Sequence, residues 1–278
     1  MSRPAERRPP MPQRAGTAHV DWVRERLSER DWAILESLDR LRVLTGDHLE
    51  RLHFSSLTGR SGEVVRGRVL RRLVNWRVIV PMGRRIGGGR RGSSRTIYAL
   101  DTTGQRLMQE RQAGEQPTMD RVRRPTIPGD RFLAHSLAVS ELYVVLVERT
   151  PATGIELAAF EAEPASWWPD GLRGWLKPDA YVRLATAAYQ DHWWVEIDRA
   201  TESLPTIQRK LNAYLDFYQR GQPGPNGVMP RVLLSTISAP RRDAIRALVE
   251  KLLVPADELF AVTLALDAWL ALLGNFKE

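Results

Sequence analysis

Residues 63–76, EVVRGRVLRRLVNW, are the stretch that decides the fold of the N-terminal half. Apolar residues recur there at helical spacing, which predicts an amphipathic helix with its apolar side against a core. The predicted inward positions are Val65, Val69, Leu70 and Leu73. The predicted outward positions are basic, and they are Arg66, Arg68, Arg71 and Arg72. This is the charge expected of a helix that lies against phosphates and guanine edges.

Two further helices are predicted before this basic helix. Ser28 is suited to cap residues 28–44, SERDWAILESLDRLRVL, with Asp31 as its capping-box partner three positions on. Thr45 is suited to cap a short helix at 45–54, TGDHLERLHF. Three helices in this order predict a helix-turn-helix whose third helix is the basic one.

A pair of short strands is predicted directly after the third helix. They are RVIVPM at 77–82 and RTIYAL at 95–100, and the loop 83–94, GRRIGGGRRGSS, joins them. Such a basic hairpin is typical of the wing of a winged helix-turn-helix. The residues predicted to contact DNA are Arg66, Arg68, Arg71 and Arg72 in the helix and Arg84, Arg85, Arg90, Arg91 and Arg95 in the wing. A solvated charge run is the alternative, and it is disfavoured because helix, wing and N-terminus are basic together.

The positive charge of the chain is concentrated in its first half. Residues 1–130 contain 26 Arg, no Lys and 15 acidic residues, a net charge of +11, whereas the remaining residues carry −3. A high genomic GC content would explain the absence of lysine but not this asymmetry. Polyanion binding is therefore expected in the first half, with double-stranded DNA as the partner.

The composition predicts two domains in the cytoplasm. Residues 1–19 are expected to form a flexible basic arm, 20–110 the winged helix-turn-helix, 111–130 a linker and 131–278 a second domain. The chain has no cysteine, which excludes disulfides, thiol catalysis and cysteine-type zinc sites. No apolar run approaches the ~20 residues of a membrane span, and the N-terminus lacks the apolar region of a signal peptide. No membrane partner is expected.

The second domain is predicted to mix helices and strands, which makes the fold class α+β or α/β. Its expected order is helix, three strands, helix, strand, helix, strand. The corresponding segments are 131–149, then 154–160, 179–185 and 192–198, then 203–220, 229–237, 239–253 and 259–266.

Acidic residues stand on two neighbouring strands of this domain. Asp179 opens one strand, and Glu196 and Asp198 share a face of the next because side chains alternate on a strand. Such carboxylates can hold Mg²⁺, which orients a scissile phosphate and activates water. On the following helix Lys210 and Tyr214 lie one turn apart, so the ammonium could stabilise charge developing on the phosphate. The predicted metal ligands are Asp179, Glu196 and Asp198, and the predicted catalytic residues are Asp179, Glu196, Lys210 and Glu141 of the first helix.

Pro178-Asp179 and Glu196-x-Asp198 resemble the motif of the PD-(D/E)xK nuclease superfamily, and the order of elements resembles its αβββαβ core. The sequence departs from the motif at position 198, where the lysine is replaced by Asp198, so activity would require Lys210 to act from the helix.

Over residues 28–270, the predicted winged helix and the blocks PDA, WVEIDRATES and QRKLNAYLDFY resemble the actinobacterial replication-relaxation family. This resemblance implies a protein of plasmids or integrative elements that serves replication initiation or relaxation by Mg²⁺-dependent DNA nicking.

Several interpretations stay open. A transcription regulator or origin-binding protein with a degenerate nuclease-like domain would explain Asp198 without any enzymatic activity. A histidine-paired relaxase is excluded, because the five histidines include no pair spaced to share one face of a helix or strand. His135 and Tyr214 are expected to be structural, as are five tryptophans, Trp167, Trp168, Trp175, Trp193 and Trp194. A homodimer is an open alternative to a monomer.

Overall fold

The computed structural model describes residues 16–85, 96–113, 122, 125–126 and 128–274, with only the backbone for 83–85 and 113. The chain divides into two units, Met1–Ile127 and Pro128–Glu278, called unit 1 and unit 2 below. In the described ranges, no helix is long and apolar enough to cross a membrane.

Unit 1 consists of five helices and a small antiparallel sheet within its described residues. The strand order in the sheet is β1-β3-β2. The elements are α1 (Thr17–Arg24), α2 (Glu29–Leu41), β1 (Leu44–Thr45), α3 (Gly46–His53), α4 (Gly59–Asn75), β2 (Ile79–Arg85), β3 (Thr96–Leu100) and α5 (Thr102–Ala113). The three predicted helices are confirmed as α2, α3 and α4, and the two predicted strands as β2 and β3. Helices α1 and α5 were not predicted.

Both predicted helix caps are present. The Ser28 hydroxyl accepts a bond from the Asp31 amide at 3.3 Å, and the Asp31 carboxylate accepts one from the Ser28 amide at 2.9 Å. Thr45 closes the same kind of reciprocal cap, with His48 in place of an acidic partner. These bonds satisfy amides that have no partner inside the helix and fix where α2 and α3 begin.

Helix α4 is rotated relative to the prediction. Its buried residues are Gly62, Arg66, Leu70 and Leu73, whereas Val65 and Val69 are only half-buried. The outward position expected for Arg66 is therefore wrong: the residue is 8% exposed, and its guanidinium forms an ion pair with Glu50 of α3. Gly62 lies on the same inward side, where a Cβ would be 2.5 Å from the Leu57 carbonyl oxygen. Its missing side chain lets the backbone of α4 approach the preceding loop closely.

Arg72 connects α4 to the start of α2. Its guanidinium donates to both oxygens of Asp31, at 2.7 and 2.6 Å, and lies 5.1 Å from the Trp76 ring centroid. Asp31 is fully buried, so this cation neutralises a carboxylate that has left water. Arg72 thus has a structural partner inside unit 1.

Unit 2 is built on a five-stranded mixed sheet in the order β10-β9-β8-β7-β4. Strands β4, β7 and β8 pair antiparallel, and β8, β9 and β10 pair parallel. The elements are α6 (Asp130–Arg149), β4 (Glu156–Ala162), β5 (Trp168–Pro169), β6 (Trp175–Leu176), β7 (Ala180–Ala185), β8 (Gln190–Asp198), α7 (Leu204–Gln219), β9 (Arg231–Thr236), α8 (Ala239–Val249), α9 (Ala256–Leu259), β10 (Phe260–Leu264) and α10 (Ala268–Leu273). The mixed α+β class and all eight predicted elements are confirmed; β5, β6, α9 and α10 are additional.

The core of unit 2 lies on both faces of β8. Trp193 and Trp194 are fully buried, and because neighbouring side chains alternate, they occupy opposite faces. Trp194 packs against α7, with its ring centroid 5.5 Å from Tyr214 and 5.6 Å from Phe217. The packing role predicted for these two tryptophans is confirmed, whereas Trp175 is 56% exposed.

Two expected segment boundaries differ in the structure. Helix α1 begins at Thr17, inside the expected arm of 1–19, and α5 continues to Ala113, inside the expected linker of 111–130. Both helices escaped prediction because each is short and has few strongly apolar residues. The rest of the expected arm, 1–15, and most of the expected linker lie outside the described residues.

We expect Asp31→Ala to lower the free energy of unfolding of unit 1 by about 2–4 kcal/mol, because it removes a helix cap and leaves Arg72 without its buried partner. Urea denaturation of the full chain measures this change. Asp21→Ala, which breaks an exposed ion pair with Arg24, serves as the control and should change it by less than about 1 kcal/mol. Equal effects of the two substitutions would contradict the structural role of Asp31.

Candidate functional site

The register of β7 and β8 places Asp179 opposite Glu196. Ala180 pairs with Val195, so the residue before Ala180 stands across from the residue after Val195. Directly opposed residues of antiparallel strands point to the same face. The Asp179 carboxylate reaches across to β8, where it accepts a 2.7 Å bond from the Ile197 amide.

Helix α7 supplies two partners to Glu196. Tyr214 donates to one carboxylate oxygen at 2.6 Å, and Lys210 donates to the other at 3.0 Å. The two donors are four residues apart and therefore lie on one side of the helix. The ammonium of Lys210 also lies 3.1 Å from Glu202. Glu196 is 5% exposed, so its charge depends on these donors rather than on water.

The side chains around Asp179 and Glu196 border an open cavity of about 170 Å³. Most of the residues that line it are charged or polar. Its charged or titratable lining residues are His135, Asp179, Glu196, Asp198, Arg199, Glu202 and Lys210. The convergence of Asp179, Glu196 and Lys210 expected from the sequence is therefore present.

The pKa values reflect how the carboxylates crowd one another. Burial, and after it the charge of Asp179, raise the pKa of Glu196 to about 7 against the opposing effects of Lys210 and Tyr214. Burial would lower the pKa of Lys210, but the charge and hydrogen bond of Glu196, together with the charges of Asp179 and Glu202, outweigh it, and the net shift is upward. Burial and the charge of Glu196 raise the pKa of Tyr214 well above its usual value. At neutral pH, Lys210 is thus a cation and Tyr214 a neutral donor.

His135 of α6 belongs to this site, which the sequence did not indicate. Its Nε2 lies 3.0 Å from the second oxygen of Asp179, and this hydrogen bond raises the pKa of the imidazole despite burial. The expectation that His135 is a structural residue on an apolar face missed this contact. No sequence signal joins positions 135 and 179, because they meet only in the tertiary structure.

Asp198 shares the face of Glu196 but is bound elsewhere. Arg241, at the start of α8, donates to both Asp198 oxygens at 2.7 and 3.1 Å, and Thr236 donates at 2.9 Å. The Asp198 side chain is 2% exposed. Its carboxylate is therefore neutralised by Arg241, a residue that the sequence analysis did not single out.

Glu141 is not among the residues that line the cavity. It is half-buried on α6, six residues and ~9 Å along the helix from His135. In the parts of the chain that the structure describes, no group of three or more His, Asp or Glu side chains is arranged to hold a metal ion.

Only two of the predicted DNA-contacting arginines have described side chains that are exposed, Arg68 and Arg71 of α4. Arg66 and Arg72 are paired with Glu50 and Asp31. Arg84 and Arg85 lie at the end of β2, where the side chains are not described, and Arg90, Arg91 and Arg95 lie outside the described residues.

We expect the stability of Glu196→Gln relative to wild type to rise from about pH 4.5 to about pH 7. The raised pKa of Glu196 means that the folded protein holds a proton over this interval that the unfolded chain releases. Wild type therefore loses stability as pH rises, at most on the order of 1 kcal/mol per pH unit. Chemical denaturation at several pH values measures the difference in the free energy of unfolding between the two proteins. His135 is present in both, so its titration cancels from this difference. A difference independent of pH would contradict the assigned pKa.

A protein-family model matches the region of the chain that contains these residues. The family model described as replication-relaxation matches residues 35–232, which include α4, Asp179, Glu196 and Lys210. The comparisons with curated proteins and with solved structures gave no match. Because the matched region covers more than half of the chain, the chain belongs to the replication-relaxation family.

Proposed function

We propose that this protein binds duplex DNA through unit 1 and cuts one DNA strand at the Asp179–Glu196 cavity of unit 2 with Mg²⁺, during replication-related DNA processing. The description of its family points to replication. The observation that carries the proposal is the convergence of Asp179, Glu196 and Lys210 on one open cavity. A plasmid or other mobile element is the proposed setting.

The order of elements in unit 1 supports a winged helix-turn-helix. Helices α2, α3 and α4 are followed by the antiparallel pair β2 and β3, and α4 would be the helix that enters the groove. Arg68 and Arg71 are exposed on α4, where guanidinium groups can bind phosphates or guanine. The net charge of +11 in residues 1–130 would strengthen binding to any duplex.

The order of elements in unit 2 supports a PD-(D/E)xK-like core. Helix α6 is followed by the antiparallel strands β4, β7 and β8, then by α7 and by β9, which is parallel to β8. This is the αβββαβ order of that superfamily. Asp179 and Glu196 occupy the strand positions that its motif assigns to acidic residues.

Asp179 and Glu196 fit Mg²⁺ as a pair of oxygen donors. Mg²⁺ commonly uses one or two protein carboxylates and keeps several water molecules, so a third protein ligand is not required. Bound Mg²⁺ would orient the scissile phosphate and lower the pKa of a water molecule. Asp198 is a less suitable ligand than Glu196, because the largely buried side chain of Arg241 holds both of its oxygens, whereas the ammonium that pairs with Glu196 belongs to a side chain that is 37% exposed and can turn away.

The remaining side chains of the cavity have roles that follow from their contacts. Tyr214 fixes the orientation of Glu196 through its 2.6 Å bond, and with 3% exposure it is not placed to attack DNA. Lys210 is 37% exposed, so its ammonium can turn from Glu196 or Glu202 toward a phosphate oxygen. There it would stabilise the negative charge that develops during cleavage.

A second candidate function is DNA binding without cleavage, as in a transcription regulator or origin-binding protein. The observation that favours it is the pairing of both carboxylates inside the protein. His135 holds Asp179, and Lys210 holds Glu196, so a metal would have to displace or share these partners. The acid at position 198 favours the same alternative.

We expect wild-type protein to nick supercoiled plasmid in the presence of Mg²⁺ and to lose this activity upon chelation. Asp179→Asn and Glu196→Gln should abolish nicking, because each removes a negative oxygen donor. Lys210→Ala should lower the rate about 100-fold with little change in the Mg²⁺ concentration required. Agarose gel assays over a Mg²⁺ titration measure both quantities.

The matched control is Asp216→Asn, which neutralises an exposed acid on the same helix as Lys210 and should leave nicking unchanged. If wild type binds its DNA but leaves it intact with either Mg²⁺ or Mn²⁺, the nuclease proposal is wrong and the non-enzymatic function takes its place.

We expect Arg68→Ala combined with Arg71→Ala to weaken duplex binding about 10-fold or more, because these guanidinium groups are exposed on α4. Fluorescence anisotropy over a salt series should also show a shallower dependence on salt, since fewer counterions are released. Arg242→Ala in unit 2, where the side chain pairs with Asp243, is the control for loss of one positive charge. Undiminished binding by the double variant would contradict the assignment of α4.

A further inference from the structure

The outer side of α4 carries a stripe made of Arg60, Val64, Gly67, Arg68 and Arg71, called the α4 stripe below. These residues recur at spacings of three and four, so they line one face of the helix. We propose that the α4 stripe lies in the major groove of duplex DNA, with Gly67 at the closest approach of helix to DNA and Val64 against a thymine methyl group. This inference rests on the proposed function, because it requires that unit 1 bind duplex DNA.

The ion pairs of α4 determine which side of the helix is available. Arg66 is turned toward Glu50 and Arg72 toward Asp31, so both are committed to the fold of unit 1. The three arginines of the stripe are exposed, at positions 60, 68 and 71. Glu63 is the only acidic residue in the helix. A polyanion is therefore the partner that matches the charge of this face.

Gly67 has no role in the fold that the structure reveals. A Cβ at this position would find no atom within 4 Å among the described residues, in contrast to Gly62, whose missing side chain admits the Leu57 carbonyl. Glycine in the interior of a helix is less favourable than alanine. Within the described residues, Gly67 therefore leaves space beside the helix, and the proposal assigns this space to the duplex. In a groove, the absence of a side chain would let the backbone come closer to the base edges.

Val64 is the apolar member of the stripe. It is 53% exposed and lies one helical turn from both Arg60 and Arg68. In the major groove the apolar feature of the base edges is the thymine methyl group, whereas guanine presents acceptors to arginine. The stripe therefore predicts a target site in which a thymine lies beside one or more guanines.

The first test compares two identical substitutions on opposite sides of α4 in the full chain. Gly67→Ala should raise the Tm by about 2–8 °C, because it improves helix propensity without a clash. It should nevertheless weaken binding about 10-fold or more to a 20-bp duplex selected by wild type from a random library. Gly62→Ala should instead lower the Tm, because its Cβ would meet the Leu57 carbonyl.

The second test changes the DNA and leaves Gly67 in place, so its result does not depend on how a substitution at position 67 affects folding. In the selected duplex each thymine is replaced in turn by uracil, which removes only the methyl group. One replacement should weaken wild-type binding about 3- to 4-fold, the value of one buried methyl group. Val64→Ala should bind the original duplex less tightly and should be indifferent to that same replacement.

If the Gly67→Ala variant is more stable than wild type and binds the duplex as tightly, the proposed close approach of helix and DNA at Gly67 is wrong. If no uracil replacement distinguishes wild type from Val64→Ala, the methyl contact is wrong. Both results would still leave DNA binding by unit 1 intact. Failure of wild type to select or bind any duplex would instead refute the proposed function, and this inference with it.

Discussion

The burial of two carboxylates on neighbouring strands is the constraint that organises unit 2. Asp179 and Glu196 face each other across β7 and β8, and in a poorly solvated position two negative charges repel strongly. The surrounding structure offsets this repulsion with donors from three elements. Lys210 and Tyr214 come from α7, His135 from α6 and the Ile197 amide from β8 itself. Contacts to these two carboxylates therefore help to hold α6 and α7 against the sheet.

Unit 1 also pairs its buried charges with partners inside the protein, and here the ion pairs orient a helix. The buried Asp31 caps α2 and holds Arg72, while Arg66 is held by Glu50. Breaking such a pair leaves an uncompensated charge, so these contacts fix the rotation of α4 about its axis. The structural arginines thereby leave the other face free of intramolecular pairing for Arg68 and Arg71 within the described residues. The paired arginines and the exposed arginines thus lie on different sides of one helix.

Local patterns predicted most of this architecture, and tertiary ion pairs account for what they missed. The predicted strand that carries Glu196 and Asp198 is present as β8, and the caps at Ser28 and Thr45 follow from residues three positions apart. His135, Arg241 and the inward turn of Arg66 could not be predicted in this way, because their partners lie on other elements of the chain. Periodicity also favoured Val65 over Arg66 as a buried residue, since it cannot anticipate that a charged side chain enters the interior with its own counterion.

The acid at position 198 bears on whether the cavity can support catalysis. A lysine there would place a cation two residues from Glu196 on the same face, whereas Asp198 adds a negative charge that Arg241 cancels. Position 198 thus contributes no net charge, and the cation beside Glu196 is supplied by Lys210 from α7. Glu196 therefore has a neighbouring cation although position 198 is acidic. Lys210 is shared with Glu202 and is partly exposed, so under the proposed function its ammonium would turn to a phosphate while Tyr214 continues to hold Glu196.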